Sequence, residues 1–206
     1  MQTIEAGFQL FEWQYDVIAE RNAVRSVFSG RSTSYQVFVM RLLEEGLYRF
    51  VILCPIEAAL EHRAGLGEFL HRTNTSLPLG AFELEVDRGA VRWVSSVETN
   101  GDPIPPHWIG GAVQRGLTSF ETVWEELLAV AEGRMIPSAA AMRSQVAMEL
   151  PQVNQQLEAH DTVLSLPPID ASEELSVMVS GEQLEAATAL LEPLFGDPLP
   201  FALKRS

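Results

Sequence analysis

The sequence has one cysteine among its 206 residues. Cys54 therefore lacks a partner for an internal disulfide and a companion thiolate for a metal site, a usage that suits a reducing compartment. Basic residues are scarce as well: 14 Lys and Arg stand against 28 Asp and Glu, a formal charge of -14. A field of that sign repels a phosphate backbone, so nucleic acid is not an expected ligand. No apolar run approaches the roughly 20 residues that a membrane-spanning helix needs; stretches such as Phe50–Cys54 fall far short. The N-terminus lacks the basic start and long apolar core of an export signal and carries Glu5 and Glu12 instead. Gly-x-Ser-x-Gly, P-loop and dinucleotide fingerprints are missing too, and Gly65-Leu66-Gly67 sits inside a helical pattern rather than between strand and helix. These absences lead us to expect a cytoplasmic, soluble, non-enzymatic protein with no cofactor, no resident metal and no membrane contact.

What is present is periodicity. Ile4–Phe11 suits a short helix. Ala23–Phe28 is a β-prone run closed by Ser29-Gly30. Ser34–Met40 carries β-branched and aromatic residues on both parities, which predicts a strand covered on both faces or twisting under a helix. After the polar turn Glu44-Glu45-Gly46, Leu47–Cys54 reads as a strand that Pro55 stops. Leu66, Phe69, Leu70 and Thr73 then recur at helical spacing within 58–74. Glu61, Arg63, Glu68 and Arg72 lie opposite them, and Asn74 is placed to end the helix in a left-handed conformation. Phe82–Asp87 alternates apolar and acidic residues, Asp87-Arg88-Gly89 turns, and Val91–Ser95 returns, a β-hairpin over 81–97. From Ile109 to Ala131 an apolar stripe marks a helix of about seven turns, with Gly133 as its C-cap.

The expected class is α+β: an antiparallel sheet of about five strands with helices packed on it, in the order α-β-β-β-α-β-β-α, over residues 1–136. Residues 137–206 hold ten acids against three bases and are broken by prolines. A helix from about Ser138 to Leu150, a strand over 174–179 and a helix over 181–191, with Ser180 as N-cap and Gln183 in a capping box, are expected there. So short a segment buries little core, so this extension is expected to dock on the first domain or on a partner chain, through Leu184, Leu191 and Leu194.

Residues able to carry chemistry mostly have plainer roles. Glu83, Glu85 and Asp87 share one strand face and could hold a cation, but the alternation turns Phe82, Leu84 and Val86 inward and leaves the acids in solvent. His62 and His71 are nine residues apart, on opposite sides of the predicted helix; with His107 and His160 they make no zinc motif. Gly110-Gly111, at a helix start, could face an anion, which an acidic chain disfavours. Trp93, Trp108 and Trp124 are the candidates for interaction, and for Trp93 core and interface both remain open.

Trp13-Gln14-Tyr15, Tyr35-Gln36-Val37-Phe38-Val39, the segment from Leu60 to Asn74 and the hairpin from Leu79 to Trp93 resemble the YbjN family of bacterial proteins. The resemblance runs from about Phe11 to Met135. It departs where relatives often place Tyr-x-Pro in the last helix, since this chain has Phe120-Glu121-Thr122-Val123-Trp124. It implies a fold like that of class I type III secretion chaperones, which are small acidic homodimers that hold partner proteins. Members are described as sensory transduction regulators, and the family brings no catalytic motif. On that basis the expected function is a non-enzymatic protein-binding module, chaperone-like or regulatory, acting as a homodimer on an unidentified protein partner. The interface is expected near Val91–Val97 or in the strands from Tyr35 to Leu53. The alternative is a small-ligand-sensing regulator, or an enzyme of unrecognised type, with a pocket between the sheet and the long helix.

Overall fold

The computed structural model describes residues 1–99, 102–157, 162–169, 175–181, 184–196 and 198–205. His160, Gln183 and the start of the strand expected from 174 lie outside them. Helix α1 (Gln2–Leu10) precedes four strands, β1 (Asp16–Ile18), β2 (Ala23–Ser29), β3 (Ser34–Leu42) and β4 (Leu47–Glu57). Helix α2 (Arg63–Asn74), the hairpin β5 (Ala81–Glu85) and β6 (Ala90–Glu98), and the long helix α3 (Pro106–Ala131) follow. The class is α+β, as expected, but the antiparallel sheet has six strands, in the order β1-β2-β3-β4-β6-β5. The extra strand, β1, is three residues long and pairs Asp16 with Arg25 and Ile18 with Ala23. Three residues are too few to show a period.

Alternation decides which face is covered. Tyr35, Val37 and Val39 of β3 and Tyr48, Phe50 and Ile52 of β4 are fully buried, whereas the residues between them are half-buried or exposed. The inner face packs under α1, α2 and α3, whose apolar stripes, Leu66, Phe69 and Leu70 among them, join one core. Trp93 is the tallest inner side chain, and two glycines make room for it. A Cβ on Gly116 would lie 2.6 Å from its ring, and one on Gly80, where φ is +74°, would lie 2.2 Å away. Gly116 thus lets α3 approach the sheet closely, which offsets its poor helix propensity.

Three local expectations are overturned. β4 does not stop at Pro55 but runs through it to Glu57, because its pairing with β6 shifts register between Leu53 and Glu57, and an irregular ladder tolerates the missing N–H. Asn74 does not end its helix in a left-handed conformation, since the following Thr75 is right-handed at φ -66°. Its amide reaches instead to edge strand β5, accepting from the Phe82 N–H at 2.7 Å and donating to the Phe82 carbonyl at 2.9 Å. Val86 does not point inward either, because β5 ends at Glu85 and leaves Val86 exposed in the turn.

The extension builds a second layer. Helix α4 (Pro137–Leu157) continues seven residues past Leu150, through Pro151. It is followed by β7 (Val163–Ser165), β8 (Ser176–Ser180), α5 (Leu184–Phe195), which contains Pro193, and β9 (Ala202–Arg205). β8 pairs antiparallel with β7 and parallel with β9. Ser180 is the last residue of β8, and its hydroxyl donates to the Val163 carbonyl rather than capping a helix. The early turns of α4 place Ala140 and Ala141 in the first core. Val146, Leu150, Val153 and Leu157 join Val177, Val179, Ala187 and Leu191 in a second core. Asn154 repeats the Asn74 device here, bonding the Leu164 N–H and carbonyl of edge strand β7 at 2.7 and 2.9 Å.

Between the two cores lies a buried ion pair. Arg143 of α4 donates to Glu126 of α3 at 2.7 Å, with side chains only 11% and 5% exposed, and also donates to the Pro167 carbonyl. Burial pushes the Glu126 carboxyl up, against the pull of the guanidinium. Arg143→Ala leaves Glu126 buried without its partner and should cost about 3–5 kcal/mol in urea unfolding. The double change Glu126→Leu with Arg143→Met, which removes both charges, should recover most of that loss. Asn74→Ala, which strands the polar groups of Phe82, should cost about 1–3 kcal/mol in the same assay.

Candidate functional site

The most densely bonded polar cluster sits where the β2–β3 turn meets α3. The Glu121 carboxylate accepts from the Tyr35 hydroxyl at 2.8 Å, the Ser32 hydroxyl at 3.0 Å and the Ser32 N–H at 3.2 Å, with Arg31 at 3.6 Å. Burial pushes the Glu121 carboxyl up, but the Tyr35 and Ser32 hydrogen bonds and the Arg31 charge outweigh it and hold the group below its ordinary value. Desolvation, with Glu121 second, pushes the Tyr35 phenol far above its ordinary range. Glu121 therefore stays ionised and Tyr35 stays protonated near neutrality, so the pair is set to hold the turn rather than to exchange protons. Arg63 has a similar role at the other end of the sheet, donating to the Ala58, Val86, Asp87 and Arg88 carbonyls around the β5–β6 turn. Neither clasp shows in a periodicity, because the partners of Glu121 lie 86 and 89 residues away.

The other candidate groups are dispersed. Glu83 pairs with Arg92 at 2.8 Å across the hairpin, and Glu85 reaches Arg88 at 3.9 Å. Among the described residues no group of three His, Cys, Asp or Glu could hold a metal ion, and no helix is long and apolar enough to cross a membrane. Cys54 is buried with its Sγ 3.6 Å from the Val91 carbonyl, and desolvation pushes the thiol up to about 11. Gly110 and Gly111 lie inside α3 rather than at its start.

The interaction candidates separate. Trp93 belongs to the core, 1% exposed. Trp124 is half-buried beside Tyr35, its ring edge-on at 6.3 Å. Trp108 is 52% exposed near the start of α3. Leu191 is fully buried in the second core, Leu184 packs partly against it and Leu194 is exposed. The stripe of α5 thus faces the core that the extension itself builds.

A further apolar surface is one that the candidate residues did not include. Val27, Phe38, Met40, Val51, Leu53 and Val94 all project from the outer face of the sheet, opposite the helices. They are in register, with Phe38 opposite Val51 and Val51 opposite Val94. At its two ends this face carries directly paired charges, Asp16 with Arg25 and Glu83 with Arg92, each at 2.8 Å. The signal was present in the sequence, because β3 is apolar on both parities, yet the described helices cover only one of them.

The Glu121 clasp sets an acid response. A carboxyl held below its ordinary 4.5 contributes stability that is present above that pH and is lost as pH falls through its folded value. Glu121→Gln should therefore be less stable than wild type by about 1–2 kcal/mol at neutral pH. The difference should close below about pH 4.5, as followed by urea midpoints of the two proteins across pH.

The family model described as "Putative bacterial sensory transduction regulator" matches residues 2–129, which span α1 and the six-stranded sheet and most of α3. No curated protein matches the chain. With more than half of its length matched, including every element of the first core up to α3, the chain belongs to the YbjN family.

Proposed function

We propose that this regulator-family chain is non-enzymatic, acts by binding protein, and works as a two-fold homodimer paired through the outer face of its sheet. The observation that carries this is the second apolar parity of the central strands. Phe38, Val51 and Val94 form a continuous row with no described helix above it. A sheet apolar on both faces calls for a cover on both, and a second copy supplies one, since two such faces can stack about 10 Å apart. Charge favours this partner. The chain carries -14 overall, but this face carries the pairs Asp16–Arg25 and Glu83–Arg92 together with one charge of each sign, Arg49 opposite Met40 and Glu98 opposite Leu47, so two copies can meet there with little net repulsion. The resemblance to class I type III secretion chaperones, themselves acidic homodimers that hold other proteins, supports the same reading. The ligand-pocket alternative finds less support. The space between the sheet and α3 is occupied by Tyr35, Ile52, Trp93 and Phe120, with Tyr35 and Phe120 stacked at 5.3 Å.

Light scattering at micromolar concentration should give a dimer mass, with association strengthened by moderate salt, which screens the net charge. Val51→Glu, at the centre of the outer face, should give a monomer that keeps its far-UV circular dichroism spectrum. A monomeric wild type in both low and moderate salt would overturn the dimer. Recovery of no protein by affinity capture, with stoichiometric binding of a small molecule instead, would overturn the protein-binding function.

A further inference from the structure

A groove of about 740 Å³ runs along the far side of α3, away from the sheet. One wall is α3, with Gly111, Arg115 and Thr122; the other is α4, with Ala147, Glu149 and Pro151. We infer that this groove docks an extended segment of a partner protein, apolar in character, with a carboxylate set against Arg115. The inference rests on the protein-binding function proposed above and adds a location and a chemistry to it.

Four features favour a peptide of that kind. First, Arg115 forms no ion pair with any described carboxylate, in a chain where acids outnumber bases two to one. An acidic group on the partner is its natural complement. Glu149 on the facing wall forms none either and sets the opposite preference there, which orients the segment.

Second, the walls offer hydrogen-bond acceptors. The Ser119 and Thr122 hydroxyls spend their protons on the Arg115 and Thr118 carbonyls, both at 2.9 Å, which leaves their oxygens to accept. Pro151 has no N–H to give the Ala147 carbonyl four residues earlier, so that carbonyl lacks its helical donor. Both residues line the groove. The N–H groups of an extended chain supply what these oxygens lack.

Third, the surface continues beyond the groove. Trp108 lies one turn before Gly111 on the same stripe of α3 and is 52% exposed. Leu79 follows Pro78 and is exposed, and the exposed Phe11 ring sits against Gly110. Exposed tryptophan and arginine on one track are the residue types that dominate protein interfaces. Fourth, Gly111 leaves the groove open. A Cβ there would meet only the Arg115 guanidinium, at 3.8 Å, so the position could hold a larger residue without strain. The α4 wall lies beyond the matched 2–129, so the groove is a property of this chain's extension rather than of the family domain.

The test uses the full chain and three fluorescein-labelled synthetic peptides of alternating leucine with aspartate, asparagine or lysine. Binding is read by anisotropy in low salt. The aspartate peptide should bind most tightly. Arg115→Glu should weaken it by about tenfold and bring the lysine peptide up. Gly111→Trp, whose Cβ the backbone admits and whose ring would fill the groove, should abolish binding of the aspartate peptide with the far-UV circular dichroism spectrum kept. Leu43→Ser, exposed in the turn between β3 and β4 and remote from both surfaces, should leave peptide binding unchanged. Binding lost in Val51→Glu but kept in Gly111→Trp would overturn the groove and leave the protein-binding function standing on the sheet face. Equal affinity of wild type for all three peptides, or no binding of any, would overturn the proposal outright.

Discussion

The contact between Arg143, Glu126 and the Pro167 carbonyl joins two structures that otherwise have separate interiors. On one side lies the sheet with α1, α2 and α3; on the other lies the small sheet of β7, β8 and β9 with α5. Helix α4 belongs to both, and the guanidinium fixes its position against α3. Taking two charges out of water is costly, and their attraction repays that cost only with good geometry and further hydrogen bonds. Here a third partner, a backbone carbonyl from the extension, uses another of the five guanidinium donors. The value of the arrangement is therefore more in specificity than in strength, because an apolar contact would let α4 slide along α3. The groove on the far side of α3 is walled by α4 in that register.

Sheet edges are handled by a device used twice. A strand at an edge presents unpaired N–H and C=O groups that invite another chain. Asn74 at the end of α2 and Asn154 within α4 each turn a side-chain amide onto the adjacent edge strand, pairing one N–H and one carbonyl as a neighbouring strand would. In both cases a helix leads into a strand, then a second antiparallel strand, then another helix. The same local problem, an edge strand laid beside the helix that precedes it, is met with the same side chain. With β5 guarded in this way and β1 only three residues long, the apolar outer face is the more open surface for association.

Much of the first domain was legible because its signals are local. The stripe of Leu66, Phe69 and Leu70, the alternation at Phe82–Glu85 and the stripe of α3 each need only their own neighbours to be read. What escaped reading depends on groups far apart in the chain. Arg63 serves carbonyls more than twenty residues on, and Glu121 serves a turn nearly ninety residues back. Proline misled three times: the ladder is already irregular at Pro55, and α4 and α5 run on through Pro151 and Pro193 because packing in the second core outweighs one missing backbone hydrogen bond. In the extension β7 and β9 have three and four residues, too few for any pattern to emerge. Of the two proposed surfaces, the sequence did show an unexplained second apolar parity in β3, whereas the groove was invisible because its walls come from helices about thirty residues apart.

The division of α4 between the two cores bears on how the chain forms during synthesis. A ribosome delivers the sheet, α2 and α3 before the extension, and the first core can close as soon as Ala140 and Ala141 arrive. Val146, Leu150 and Val153 of the same helix arrive next and have no cover until β8, α5 and β9 follow. The parallel partner of β8 is supplied last of all, by Ala202–Arg205. The nascent chain therefore passes through a state with one finished interior and one exposed apolar ridge. The chain's net charge of -14 opposes association of such intermediates.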